Sequence, residues 1–368
     1  MTNLPLHIVH TEASTGWGGQ EIRILSEATG LRDRGHYVQL LCPGDAPIFE
    51  AARDMGLTAT ALDIGKKRIP GLLAMRNWLK NHPTVDILNT HSSTDSWLSA
   101  VACKTLSRPP IIVRTRHIST PISHDFSTRW LYTKASRHIV TTGEKLRRTL
   151  IEENRFPDEK ITSVPTGVDP QIYRPGDKAA ARKMLNLPVD TRIIGIVATL
   201  RGWKGHQYLL DAVKELNRPD ILLLIVGDGP QGSNIELAVE NLGITHQVRL
   251  VGNQKEVTPW LQTMDLLALP SWANEGVPQS ILQAMMCALP VISTPVGSIE
   301  EAVINGETGI IIPKKDADAL AAAIADLLDH PEHARALGEA GVKRAHELFS
   351  RKNMLDHMEE IFSALAMG

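Results

Sequence analysis

Thirteen short apolar runs separated by stretches of helical periodicity restrict the folds open to this 368-residue chain. Seven come first: "LHIVHT", "YVQLLC", "TATALD", "VDILNT", "PIIVRT", "RHIVTT" and "KITSVP". Six follow: "RIIGIVATL", "ILLLIVGDG", "QVRLVGN", "DLLALP", "PVISTP" and "TGIIIP". Runs too short for helices, alternating with amphipathic segments, predict parallel strands in doubly wound sheets. Between the two series lies the Pro- and Gly-containing stretch 165–190, with one short helical segment, which reads as a linker. The length suits two domains, each large enough to bury a core. The tail is helical, and a last helix is expected over roughly 353–365.

Ligands of open α/β sheets sit beyond the carboxyl ends of the strands, so the loops after each strand carry the functional information. After the first strand, "HTEASTGWGGQE" supplies Gly16, Gly18 and Gly19 ahead of a helix. Glycines let a backbone approach a ligand closely, and a tight turn explains them equally well. Neither a dinucleotide fingerprint nor a P-loop is present. After the eighth strand come Arg201, Gly202, Lys204 and Gly205, then a helix. A two-pronged guanidinium, an ammonium and a helix N-terminus can together hold a diphosphate.

In "SWANEGVPQSILQAMM", Pro278 suits a first helical position, which puts Glu275, Gly276 and Val277 at a helix N-terminus. Gln283 lies eight residues beyond Glu275. A continuous helix would separate the two by about 12 Å, too far for the carboxyl pair of a glycosidase and suited to the two ends of a long ligand. "IIVRTRHISTP" ends a strand on Arg114, Arg116 and His117. His117 stands where it could donate to a sugar hydroxyl, and His91, after "VDILNT", is placed similarly.

The remaining features mostly exclude. Cys42, Cys103 and Cys287 are widely spaced in apolar surroundings and read as reduced thiols. No D-x-D pair sits at a suitable strand end and no His/Cys cluster has metal-ligand spacing, so no metal is expected. The absence of a leader and of a spanning apolar run points to the cytoplasm. Residues 1–168 hold 21 Lys and Arg against 16 Asp and Glu, and the remainder 18 against 25. Lys66, Lys67, Arg68, Arg76 and Lys80 accompany a helix bearing Leu72, Met75, Trp78 and Leu79. That helix either packs on the first sheet or docks on anionic lipid.

"NEGVPQSILQAMMCALPVISTPVGSIEEAVINGETGIIIP" resembles the signature of the retaining glycosyltransferases of family 4. The glycine loop, "VPTGVDPQIYRP", "LRGWKG", "VGDGP" and "DADALAAAIADLL" occur in that family's order over nearly the whole chain. The resemblance implies an α/β, GT-B fold: two facing Rossmann-like domains with parallel sheets and an interdomain cleft. Residues 1–168 would form the acceptor-side domain, with a C-terminal helix at 350–368 packing back on it. Residues 169–349 would bind the nucleotide-sugar donor. On matching positions, Arg201 and Lys204 would grip the donor diphosphate, Glu275 would contact the donor sugar, and the Gly276 and Val277 amides would meet sugar hydroxyls or phosphate. Gly18 and Gly19 would lie beneath the diphosphate, and His117 near the donor.

Three positions depart from the pattern. Gln283 stands where a second Glu usually holds the ribose, losing a charge-assisted bond. Thr166 replaces a common Asn, and Ser298 a usual second glycine after Gly297. Gln20 or Glu21 would orient the acceptor or cap the following helix. The resemblance further implies a retaining, metal-independent hexosyl transfer in which the leaving diphosphate helps deprotonate the acceptor. The donor, UDP-linked, is a substrate, and no cofactor or nucleic-acid partner is implied. A glycan or lipid-linked acceptor in lipopolysaccharide or surface polysaccharide assembly is expected. A nucleotide-sugar epimerase and a degraded sugar-binding protein are the alternatives.

Overall fold

The computed structural model describes residues 4–368. Two compact units divide the chain: residues up to Gly167 with Arg351–Gly368, and Val168–Ser350.

The first unit is built on a seven-stranded sheet of β1 (His7–Thr11), β2 (Tyr37–Cys42), β3 (Thr58–Ala61), β4 (Ile87–Thr90), β5 (Ile111–Arg116), β6 (His138–Thr141) and β7 (Ile161–Ser163). The order is β3-β2-β1-β4-β5-β6-β7, with every pairing parallel. Successive strand residues point to opposite faces, and both faces are buried. Ile8, Leu40, Ile87, Val113 and Val140 belong to one core. Their neighbours Val9, Leu41, Leu88, Ile112 and Ile139 belong to the other.

The helices Gly19–Asp33 and Arg351–Met367 cover the first face. The last helix contributes Met354, Leu355, Met358 and Phe362 to that core, which ties the C-terminus of the chain to this unit. It begins two residues earlier and ends two later than the periodicity suggested. The basic helix Ile69–Asn81 buries Met75, Trp78 and Leu79 in the second core, while Ile69 and Leu73 remain exposed.

The second unit carries β8 (Arg192–Val197), β9 (Ile221–Val226), β10 (Val248–Leu250), β11 (Leu266–Leu269), β12 (Val291–Ser293) and β13 (Ile310–Ile311), in the order β10-β9-β8-β11-β12-β13. These six strands are parallel and pack into one large apolar core. The stretch 165–190 is not a free linker. Its helix Lys178–Met184 is held by Arg182, whose Nη2 lies 2.8 Å from Asp265 and whose Nε donates to the Thr263 carbonyl at 2.9 Å. The three cysteines are buried free thiols, each pushed up to about 12 by burial.

In both sheets the winding direction reverses between two central strands: β1 and β4 in the first, β8 and β11 in the second. Connections from those strands leave on opposite faces, which opens a crevice at their carboxyl ends.

Candidate active site

In the second unit, Lys204 follows β8 and Glu275 follows β11. Lys204 Nζ lies 2.6 Å from Glu275 Oε1, and the Ser271 hydroxyl donates to the same oxygen at 2.7 Å. Glu275 is buried, and among the described residues its Oε2 takes no hydrogen bond, leaving one carboxylate oxygen for a ligand hydroxyl. The loop is shaped by its backbone. Asn274, at φ 59°, turns the chain through the left-handed region just before the carboxylate, a conformation Asn tolerates better than most residues.

Gly297 has φ +58°, and a Cβ there would stand 2.0 Å from the Glu275 carbonyl oxygen. Its neighbour Ser298 has φ −102°, so the second glycine of the family pattern is not required. Ser298 N donates to the Gly276 carbonyl at 3.1 Å.

The Arg201–Lys204 loop is clamped from the β11 side. Trp272 donates from Nε1 to the Gly202 carbonyl at 3.0 Å and from its backbone N to the Trp203 carbonyl at 2.8 Å. Gly205, at φ +80°, would bring a Cβ to 2.1 Å from the Pro270 oxygen. Arg201 is exposed, its guanidinium 5.4 Å from the Trp203 ring centroid. One cation is therefore fixed and the other presented to solvent.

Two expectations about this loop need correcting. Pro278 is the residue before the helix (φ −65°, ψ 130°), which runs Gln279–Met286. Residues 275–278 are not helical, so a continuous-helix separation of Glu275 and Gln283 does not apply. Gly276 and Val277 are buried on the approach to that helix. Gln283 is buried within it, close to Tyr173, whose hydroxyl burial pushes up to about 12.

In the first unit, Gly18 is the N-cap of Gly19–Asp33 and offers no side-chain acceptor. Its φ of 179° is extended backbone, so chain direction alone does not demand glycine there. The loop is drawn together by acids. Glu12 Oε1 accepts from Ser14 N at 2.7 Å and Glu12 Oε2 from the Gln20 amide. Glu21 is buried in the first turn of that helix, where burial raises its pKa and a carboxylate suits the helix N-terminus. Burial, with Asp95 nearby, pushes Glu12 up to about 8.

His117 is half-buried just beyond β5. Its Nε2 lies 2.9 Å from His91 Nδ1, and His91 Nε2 lies 3.0 Å from His10 Nδ1. His10 was not legible from the sequence beyond its place at a strand end. Its partners come from β4 and β5, and only the strand order makes them neighbours. Asp95 supports the group: its carboxylate accepts from Thr11 Oγ1 at 2.6 Å, His91 N at 3.0 Å and Ser92 N at 2.9 Å. Arg114 and Arg116 are structural, donating to Ser92 O at 2.9 Å and the Tyr132 hydroxyl at 3.1 Å respectively. Thr166 likewise accepts from buried Arg23 at 3.3 Å. Among the described residues, no three His, Cys, Asp or Glu side chains are grouped to hold a metal ion.

The sequence profile of the glycosyl transferases group 1 matches residues 177–344, and that of glycosyltransferase family 4 matches residues 17–172. The chain belongs to this glycosyltransferase family. A D-inositol 3-phosphate glycosyltransferase of Thermobispora bispora is 34% identical over 225 residues, covering 57% of this chain and 52% of the relative. The chain thus spans about half the length of that relative. The enzyme of the same name from Corynebacterium glutamicum is 27% identical over 372 residues, covering 89% of the chain and 87% of the relative. The crystal structure of Anabaena HepE in complex with UDP superimposes with a TM-score of 0.85 at 18% identity, covering 98% of this chain and all (100%) of that one. The glycosyltransferase therefore has the GT-B fold, with two Rossmann-like domains.

Proposed function

We propose that this glycosyltransferase moves a hexosyl group from a UDP-linked sugar to a hydroxyl of a glycan or lipid-linked acceptor, with retention at the anomeric carbon and without a metal ion or other cofactor. The observation that carries this reading is the Lys204–Glu275 pair beside exposed Arg201, at the carboxyl ends of β8 and β11. Arg201 and Lys204 would meet the diphosphate, and Glu275 Oε2 would accept from a sugar hydroxyl. Gly276 and Val277 would offer backbone donors, and Gln283, beside Tyr173, would meet the ribose. In the first unit, Gly18, Gly19 and His117 would line the approach to the reacting sugar.

As the glycosidic bond breaks, negative charge grows on the leaving diphosphate. Preorganised cations stabilise that change more than they stabilise the bound substrate. The leaving oxygen can then take the acceptor proton on the same face, which retains configuration without a protein nucleophile.

The UDP assignment is supported by the ligand named for the Anabaena structure. The inositol phosphate relatives make a polyol phosphate the acceptor to compare with glycans in lipopolysaccharide or surface polysaccharide assembly. The reading puts the protein in the cytoplasm. Among the described residues no helix is long and apolar enough to cross a membrane. Peripheral contact with anionic lipid rests on exposed Ile69 and Leu73 beside Lys66 and Arg68.

Melting temperature measured against UDP concentration tests the donor site. UDP should raise it in the parent and not in Arg201→Ala or Glu275→Ala. No response in the parent, together with parent-like variants, removes the assignment. Incubation with UDP-glucose alone separates transferase from epimerase, because only the latter releases a rearranged sugar.

A further inference from the structure

Three strands that are neighbours in the first sheet carry a histidine at or just beyond their carboxyl ends: His10 within β1, His91 after β4 and His117 after β5. Register places Thr11 beside Thr90 and Thr90 beside Arg114, so each histidine stands two residues further along its strand direction than the one before, and all three fall on the same face. Strands lie about 4.8 Å apart, and the rings repeat that spacing, with centroids 5.3 and 5.2 Å apart and planes inclined by 17° and 35°. The N···N contacts of 3.0 and 2.9 Å make a continuous chain from His10 Nδ1 through His91 to His117 Nε2.

A neutral imidazole carries one N–H. Each N···N contact needs one proton, so the three rings must all point the same way. In one arrangement His10 donates to His91, His91 donates to His117, and His117 carries its proton on Nδ1. In the other, every proton is reversed, and His10 Nε2 bears an N–H. That atom is buried and has no partner among the described residues. A stranded buried N–H is among the rarest features of folded proteins, which selects the first arrangement. Burial foremost, and then the nearby Arg23, Arg114 and Arg116 guanidiniums, hold the rings neutral. Among acids nearby, Asp95 bonds the backbone of His91, and Glu27 pairs with Arg23 at 3.5 Å.

We propose that His10 and His91 are positioning residues that fix the tautomer of His117, so that its open end presents Nδ1–H as a donor to an oxygen of the sugar substrate. The substrate contact rests on the reading of His117 given above; the tautomer coupling does not.

Nitrogen-15 NMR of the full chain labelled at histidine reads the tautomers without any ligand. Expected between pH 6 and 8 is a proton on Nδ1 of all three rings. A proton on His117 Nε2 in the parent overturns the proposal, whatever any variant does. His10→Asp replaces the donor at the far end with an acceptor and should move the His117 proton from Nδ1 to Nε2. A folded variant with His117 unchanged shows that the rings are not coupled. The substrate contact is tested apart, by turnover with UDP-glucose and whichever acceptor supports activity. His117→Ala should lower kcat/KM at least tenfold, and His117→Asn, whose amide can replace the Nδ1 donor, should recover part of the loss. Parent-like turnover in His117→Ala removes the contact while leaving the tautomer result standing.

Discussion

Lys204 and Glu275 are each more useful together than apart. Side-chain exposure is 18% and 6%, so water does little to shield either charge if the other is lost. Removing one partner of a buried pair costs about 3 kcal/mol or more, whereas replacing both by apolar groups is often near neutral. Lys204→Met should therefore lose about 3 kcal/mol in urea unfolding, and adding Glu275→Leu should recover most of it. Activity should behave otherwise. Each single variant should lose about 100-fold or more in kcat/KM, and the double variant should recover none, because preorganised charge is what the reaction needs. Gln283→Glu tests the departure from the family pattern. An ionised acceptor is worth about 1 kcal/mol more than a neutral one, so UDP should bind about fivefold tighter by calorimetry. Arg201, Lys204, Glu275 and Gln283 were nameable from loop position and motif. Ser271, Trp272 and Tyr173 were not, because nothing in a Ser or Trp beside a strand end says which loop it will clamp.

At the level of elements, the two glycine-bearing loops obey different physics. Gly205 and Gly297 combine positive φ with a Cβ position about 2 Å from a carbonyl oxygen. Gly205→Ala or Gly297→Ala pays both left-handed strain and overpacking, together about 2–5 kcal/mol. Thermal unfolding of the two variants should show this loss, along with displaced Glu275 chemistry. Gly18 differs, since its backbone is extended and it caps a helix without a side chain. Serine is a slightly better N-cap than glycine, so Gly18→Ser should unfold at the parent's midpoint or a few tenths of a kcal/mol above it. A fall in transferase activity without a fall in stability would assign this glycine to substrate approach; parent-like activity would assign it to the turn. The sequence showed these glycines all alike, because dihedral angles are set by where the flanking elements meet.

Across the whole molecule, the last helix returns to the first unit. Arg34 bonds Asp356 and Glu359 at 2.7 and 2.8 Å, and Arg351 Nη2 donates to Ser26 O at 3.0 Å. The four buried apolar side chains of that helix are worth roughly 1.5–3 kcal/mol each, comparable in sum to a domain's entire stability. A chain ending at Ser350 should lose protease resistance in the first unit while the second keeps its own transition in circular dichroism.

Acid acts on the same unit. His10 is neutral in the fold, with its pKa lowered to about 3 by burial, whereas the unfolded value is near 6.5. Below pH 6.5 the unfolded chain takes a proton that the folded chain refuses, so this group's stabilisation is present above 6.5 and lost as pH falls. Relative to His10→Gln, the parent should lose about 1.4 kcal/mol per pH unit between pH 5.5 and 4 in urea unfolding. Glu12 works the other way. Its proton is held up to about pH 8 in the fold, so relative to Glu12→Gln the parent should gain stability as pH falls from 8 toward 4.5.

The chain order of apolar runs determined the two parallel sheets, because strands buried on both faces need consecutive apolar residues and parallel pairing needs helical crossovers. It also determined which loops emerge at the ligand-binding ends. Tertiary structure alone decided which groups meet there. Lys204 and Glu275 are 71 residues apart, and His10 and His91 are 81 apart. Each meeting depends on which strands lie side by side, and strand order is settled by the packing of whole sheets and helices, a long-range choice that a local pattern does not encode.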